Sequence, residues 1–374
     1  MRRLKIGNVI EESRFGGPQK RMALVSEHLK YEIDTKIISP MDTDGAFRDF
    51  CRNKQLDFIE VELITLRKNL YSIIMYGFFF LRDIYKLVTI FNDEKFDLIH
   101  VSGGCWQVKG VIAALICRIK VVWHLNDTYT PLIFRLILRY LSKYADGIIF
   151  ASERSKTYYA DYVSEKPMKC VIPAPIIVPP KLHKKRSVHE KKYVIGMVAN
   201  IVPVKGISDF IKVVKCLNKL GLDCDFKIAG AISKNQTEYY NRCKRIIEQE
   251  KIKNISFLGH VSDVQGFLST LDLYFCTSIS ESSPMSVWEA MAQSIPVVAM
   301  DVGDVPLYVG RYQFLIVNNR DIQCFALTAQ RLLENERIRF SIGHDLSKDV
   351  RRNMSVKKIG LKHQQFYNSI LERN

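Results

Sequence analysis

An α/β fold in two halves is what the sequence predicts, on three observations. Short apolar runs, residues 4–10, 96–101, 193–200 and 271–276 among them, each give way to a polar loop and then to a segment with helical apolar spacing, the alternation that builds parallel sheets. A chain of 374 residues is long enough for two ordinary domains, each with its own core. Between the halves, residues 171–180 carry four prolines, and a charged run follows to residue 192. Prolines at that density prevent both helix and central strand, so the stretch reads as a linker. The expected division is a first domain over 1–176, a linker over 177–192, a second domain over 193–355, and a closing segment over 356–374.

The first strand, 4–10, leads through Glu11 and Glu12 to Gly16 and Gly17 and then into a helix ending near Leu29. Adjacent glycines between strand and helix permit positive φ and close approach of the backbone to a ligand. Residues 70–81 are the most apolar run in the chain, twelve residues where a bilayer span needs about 20. Arg67, Lys68, Arg82 and Lys86 flank it, which suits a helix resting on a membrane surface; a core helix of the first domain is the plainer alternative. The next strand, 96–101, includes His100, read as structural. Residues 120–128 place His124 at a strand end, and ligands of open α/β sheets gather beyond the carboxyl ends of strands. A scaffold role accounts for a lone histidine there equally well. Residues 145–152 are a further strand, with Ser152 suited to cap the following helix.

In the second half the strand 193–200 runs to the turn Lys205-Gly206 and a helix with apolar Ile207, Phe210, Ile211, Val214 and Leu217, for which Ser208 is a candidate cap. Strand, Lys-Gly turn and helix form a phosphate-facing unit in which lysine supplies charge and glycine lets the backbone turn. After the buried run 271–276, Pro284 suits a first helical turn, so a helix should start near Ser283 or Pro284. The free N–H groups of Met285 and Ser286 then make an anion site of backbone. Glu281 and Glu289 flank that start. Acids repel phosphate, but they fit hydroxyl groups at either end of a diphosphate, as in a nucleotide sugar; a solvated loop acid and an acid near a helix start would look the same. A last helix covers about 356–371.

Taken together, Phe257-Leu258-Gly259-His260-Val261, Leu271-Asp272-Leu273-Tyr274-Phe275, the two glutamates, Glu289-Ala290-Met291-Ala292, Pro296-Val297-Val298-Ala299 and Val302-Gly303-Asp304-Val305-Pro306 resemble the C-terminal domain of the retaining GT-B glycosyltransferases, family 4 or group 1. The resemblance implies two Rossmann-like domains facing across a cleft, the first binding an acceptor and the second a nucleotide-sugar donor, with the last helix crossing back onto the first. It implies Glu281 against the donor sugar, Glu289 on the ribose, Lys205 on the diphosphate, and Ser282, Ser283, Pro284, Met285 and Ser286 around the donor. Gly16 and Gly17 fall where donor phosphate or acceptor is contacted, and His124 close to the donor sugar. The chain departs from the pattern at Asn200, five residues before Lys205, where many members carry Arg, and at Leu307, where many carry an acid. The implied reaction is metal-independent, retaining sugar transfer to a hydroxyl of a glycan or lipid-linked acceptor, in surface polysaccharide or lipopolysaccharide synthesis. A nucleotide-sugar epimerase and a non-catalytic GT-B subunit are the alternatives.

Composition narrows the class. Hydrophobic content of 47% and charged content of 25% fit a soluble globular chain. The net charge of +16 calls for an acidic partner. No recognition helix or RNA-binding signature supports nucleic acid, whereas an anionic membrane suits an enzyme working on lipid-linked acceptors. Nine dispersed cysteines without a C-x-x-C pair argue for reduced thiols and against a disulfide framework or zinc site. The first loop lacks G-x-G-x-x-G, which argues against nicotinamide chemistry. No metal and no cofactor are expected. The expected location is cytoplasmic, at the inner face of the membrane.

Overall fold

A computed structural model describes residues 3–12, 14–41, 45–66, 69–179, 192–232 and 236–373. The chain forms two compact units, Met1–Pro175 with Val356–Asn374, and Ile176–Ser355. Residues 180–191, most of the expected linker, lie outside the described residues, as do Arg67 and Lys68.

The first unit is built on seven parallel strands, β1 (Leu4–Ile10), β2 (Ile33–Pro40), β3 (Asp57–Val61), β4 (Leu98–Ser102), β5 (Lys120–Leu125), β6 (Gly147–Phe150) and β7 (Met168–Val171), in the order β3-β2-β1-β4-β5-β6-β7. The second has six, β8 (Tyr193–Val198), β9 (Cys224–Ala229), β10 (Ile255–Gly259), β11 (Leu273–Cys276), β12 (Val297–Met300) and β13 (Ile316–Val317), in the order β10-β9-β8-β11-β12-β13. Strands covered on both faces read as unbroken apolar runs, and every residue of β4, β6, β11 and β12 is buried. Strand order reverses between β1 and β4 in one unit and between β8 and β11 in the other, so the loops leaving those strands diverge and open a crevice at their carboxyl ends.

The last helix, Val356–Glu372, packs in the first unit. Its Ile359, Phe366, Tyr367 and Ile370 share a core with Ile6, Val25, Leu98, Val122 and Ile149. At the other junction Ile176 belongs to the second unit, its N–H donating to the Met354 carbonyl at 2.8 Å.

Four local expectations change. The apolar run 70–81 is not a core helix: it forms Leu70–Phe78 and the start of Phe80–Glu94, with Leu70, Ile74, Phe78 and Leu81 exposed at 72, 59, 79 and 77%. Periodicity does not separate a surface apolar helix from a buried one, and here the core contacts come from Ile84, Leu87 and Phe91 further along. The helix Ile207–Lys219 starts from Gly206 in the left-handed region (φ 65°), and Ser208 instead pairs with the Tyr239 hydroxyl at 3.1 Å. Pro284 stands at the N-cap of helix Met285–Ala292 with extended ψ of 97°, one residue outside the first turn. Gly16 is extended (φ −157°), and neither it nor Gly17 uses positive φ. Ser152 caps its helix as expected, accepting from the Ser155 N–H at 2.9 Å.

Candidate functional site

In the second unit the loops leaving β8 and β11, the two strands at the reversal, are clasped together. The Ile279 N–H donates to the Val204 carbonyl at 2.8 Å, and the Thr277 hydroxyl to the Gly206 carbonyl at 3.0 Å. Gly206 is required on two counts, since its φ of 65° is left-handed and any side chain there would run into the Thr277 carbonyl. The clasp sets the Lys205 ammonium 2.6 Å from Glu281 Oε1, and the Ser278 hydroxyl donates to the same oxygen at 2.8 Å. Burial works against charge on Lys205, but the Glu281 carboxylate outweighs it and holds the ammonium above its ordinary pKa. Both side chains keep some exposure, 30% for Lys205 and 14% for Glu281.

Helix Met285–Ala292 begins directly after that loop, so its first amides have no intrahelical acceptor. The Tyr274 hydroxyl on β11 donates to Ser286 Oγ at 2.8 Å and accepts from the Val198 N–H at 3.1 Å, which ties the helix start to the end of β8. Ser283 Oγ accepts from the Trp288 indole at 3.1 Å, and the Ser282 carbonyl from the Asp304 N–H at 3.2 Å. Glu289 is buried on the helix, 3% exposed. Asn200 is exposed at the end of β8, and Leu307 is exposed on the short helix Val305–Tyr308. Cation, clasped turn and helix start thus meet at one strand reversal, an arrangement suited to a diphosphate.

His124 lies in the first unit, at the end of β5, and is wholly buried. Side chains alternate along a strand, and His124 takes the same face as Val122, toward the helices Gly17–Leu29 and Val356–Glu372. Arg21 donates to His124 and, at 3.0 Å, to the Ser102 hydroxyl. His100 Nε2 lies 3.2 Å from His124 Nδ1, and its Nδ1 lies 2.7 Å from the Tyr367 hydroxyl, itself 3.3 Å from His363. Burial, then the charge of Arg21, pushes all three histidines well below their ordinary pKa. Burial lowers Arg21 to about 10. The ring of His124 therefore meets protein on the sheet face, and the residues that follow the strand end are Asn126 and Asp127, both partly buried. The Gly16-Gly17 turn opens the helix that carries Arg21.

Sequence reasoning missed Glu11. It is 6% exposed just past β1, and its Oε1 accepts from the N–H groups of Lys109 and Gly110 at 2.8 and 3.2 Å, the start of helix Lys109–Ile116. Burial pushes its carboxyl up to about 7 against the pull of Lys109 and the two amides. Lys109 forms a fully buried pair with Asp83 at 2.7 Å, and the Tyr76 ring lies over its ammonium at 3.9 Å. An acid directly after the first strand was the available signal. Among the described residues no cluster of metal-ligating side chains occurs and all nine cysteines are free.

Two doubly wound units, one with a turn suited to phosphate at its strand reversal, define a two-domain α/β class. Comparison narrows it: residues 15–176 match the glycosyltransferase family 4 model, and residues 179–353 match the model of glycosyl transferases group 1. Over 98% of this chain and 100% of the other, the fold matches the crystal structure of Anabaena HepE in complex with UDP and glucose (TM-score 0.82, 18% identity). The chain is 26% identical to the Staphylococcus aureus capsular polysaccharide biosynthesis glycosyltransferase CapM over 49% of its own length and 47% of that protein's. It is 21% identical to the Escherichia coli UDP-Gal:alpha-D-GlcNAc-diphosphoundecaprenol alpha-1,3-galactosyltransferase over 68% of its length and 71% of that protein's. The chain belongs to the group 1 glycosyltransferases of GT-B fold.

Proposed function

We propose that the protein transfers a sugar from a nucleotide-sugar donor to a hydroxyl acceptor with retention of anomeric configuration, in surface polysaccharide synthesis. One observation carries the reading: Lys205, held on Glu281, and the start of helix Met285–Ala292 converge where β8 and β11 diverge. Negative charge grows on the diphosphate as the sugar leaves, and a preorganised cation with aligned amides is worth most there. The anomeric carbon–phosphate oxygen bond breaks as the acceptor oxygen bonds to the same face. A phosphate oxygen takes the acceptor proton, so neither a protein base nor a metal is required. Glu281 receives hydroxyls of the donor sugar and Glu289 those of the ribose, with Ser282, Ser283, Pro284, Met285 and Ser286 framing the diphosphate. Asn200 stands at the phosphate end with a neutral amide, leaving Lys205 the only side-chain cation assigned to the diphosphate. Gly16 and Gly17 lend backbone to the substrate from the first unit. His124 acts from within the sheet as a positioning residue for the β5 end.

A lipid-linked acceptor is favoured by the relatives whose names include diphosphoundecaprenol substrates. The exposed apolar helix Leu70–Phe78, followed by Arg82 and Lys86, and a second such helix, Leu132–Leu141, with Leu132, Ile133 and Tyr140 exposed beside Arg135 and Arg139, suit docking on an anionic membrane. No described helix is long and apolar enough to cross a membrane. Turnover of a panel of nucleotide sugars with lipid-linked acceptors tests the reaction, and no donor bound or consumed would count against it. Flotation with anionic liposomes should be strong at low salt and weak at high salt; absence at both would remove the membrane from the proposal.

A further inference from the structure

Two buried amide donors in the first unit have no partner, and both belong to loops at the carboxyl ends of neighbouring strands. Gln107, 1% exposed, follows β4, and its Nε2 is unpaired while its Oε1 accepts from the Glu11 N–H at 2.7 Å. Asn126 follows β5, and its Nδ2 is likewise unpaired. A buried donor left without an acceptor is costly, so chains retain few of them. Gln107 and Asp127, the residue next to Asn126, lie by one turn. Gly103, at a left-handed φ of 130°, and Gly104 let the backbone leave β4 with the Gln107 amide packed on the first glycine and the Asp127 carboxyl on the second. Glu11 completes the group from β1, across the strand reversal.

The chemistry of these groups selects a ligand. Unpaired N–H groups call for acceptor oxygens, while two carboxyls close by disfavour phosphate. Both carboxyls already accept hydrogen bonds, Asp127 from the Tyr159 hydroxyl and Glu11 from two backbone N–H groups, and burial holds both above their ordinary range, Asp127 well above and Glu11 up to about 7. A hydroxyl, which donates to one group and accepts from another, matches; an anion does not.

We infer that Gln107 and Asn126, with Glu11 and Asp127, form a subsite for the hydroxyls of a neutral sugar ring at the β1–β4–β5 strand ends. This deepens the transferase reading, and it is testable without turnover. Saturation-transfer NMR on the full chain, with methyl glucoside, methyl galactoside and methyl N-acetylglucosaminide as probes, should show binding of at least one. Asn126→Ala should weaken it at least tenfold without lowering Tm, because the deleted donor has no partner to lose. Gln107→Glu, which keeps the acceptor for the Glu11 N–H and replaces only the donor, should do the same, whereas Glu281→Ala should leave it intact. In turnover assays both variants should raise the acceptor KM and leave the donor KM unchanged; a raised donor KM alone would overturn the subsite. Glycoside binding without any transfer would sink the transferase reading alone. Binding to none of the probes, or equal binding by wild type and both variants, would overturn the subsite.

Discussion

The two strand reversals of this molecule handle charge in opposite ways. At the β8–β11 reversal a lysine held above its ordinary pKa pairs with a glutamate 2.6 Å away, both partly exposed, with helix amides beside them. At the β1–β4 reversal three histidines are held neutral, an acid is pushed up to about 7, and the donors at the strand ends are uncharged amides. The same topology therefore yields one set of groups suited to an anion and one suited to uncharged hydroxyls, the two sites proposed above. Topology fixes where a crevice opens, and burial of the lining groups fixes what charge it tolerates.

The largest effect that would break this contrast belongs to Lys205. Lys205→Ala should reduce kcat/KM for nucleotide sugar by a factor that reflects about 3 kcal/mol of transition-state stabilisation, with Tm little changed because the side chain is 30% exposed. Turnover at the wild-type rate would remove the charged half of the comparison. Next, Glu289→Gln should weaken binding of a ribonucleoside diphosphate by about 1.5–3 kcal/mol and narrow its advantage over the 2′-deoxy analogue, as read by calorimetry. An unchanged preference with lowered Tm would make Glu289 structural.

The smallest effect sharpens the neutral half. Histidines whose pKa is depressed in the fold contribute stability that is fully present above their unfolded value of about 6.5 and is lost as pH falls toward the folded values. Glu11 has the opposite sign: its folded pKa of about 7 lies above its ordinary 4.5, so its contribution is present at low pH and lost as pH rises through that window. On unfolding near pH 5.5 the histidines take protons up while Glu11 gives one back. Glu11→Gln removes that compensation, so acidification from pH 6.5 to 5.5 should destabilise the first unit more steeply, by about 1.4 kcal/mol per pH unit. Hydrogen exchange in helix Val356–Glu372 reads this unit separately from the other. An unchanged slope would mean that Glu11 is ionised throughout.

What could be read in the sequence was mostly local. Strands announced themselves as apolar runs, and Lys205-Gly206, Glu281 and Pro284-Met285 lie in short strand–loop–helix segments whose geometry follows from a few residues. The lysine and the first glutamate are 76 positions apart, yet the clasp of their loops rests on a glycine that the turn itself requires. The first unit was harder to read. His124 was visible at a strand end, but its neighbours Arg21, His100, His363 and Tyr367 come from three other elements, and Tyr367 lies 267 positions from the His100 it pairs with. Nothing in residues 120–128 says which face the ring takes among them. The run 70–81 carried the right composition for either a core or a surface, and only the burial of Ile84, Leu87 and Phe91 decides it. Gln107 and Asn126 left no composition signal, because an unpaired donor is defined by what surrounds it.

The packing of Val356–Glu372 into the first unit has a consequence for how the chain is made. Ile6, Leu98, Val122 and Ile149 leave the ribosome long before Ile359, Phe366 and Ile370, the residues that cover them. During synthesis the first sheet therefore carries an uncovered apolar face while the whole of the second unit is still being added. Exposed apolar surface of that kind invites wrong partners, so this half of the molecule spends the longest time in need of a chaperone. The helix that covers that face is made only after the whole of the second unit.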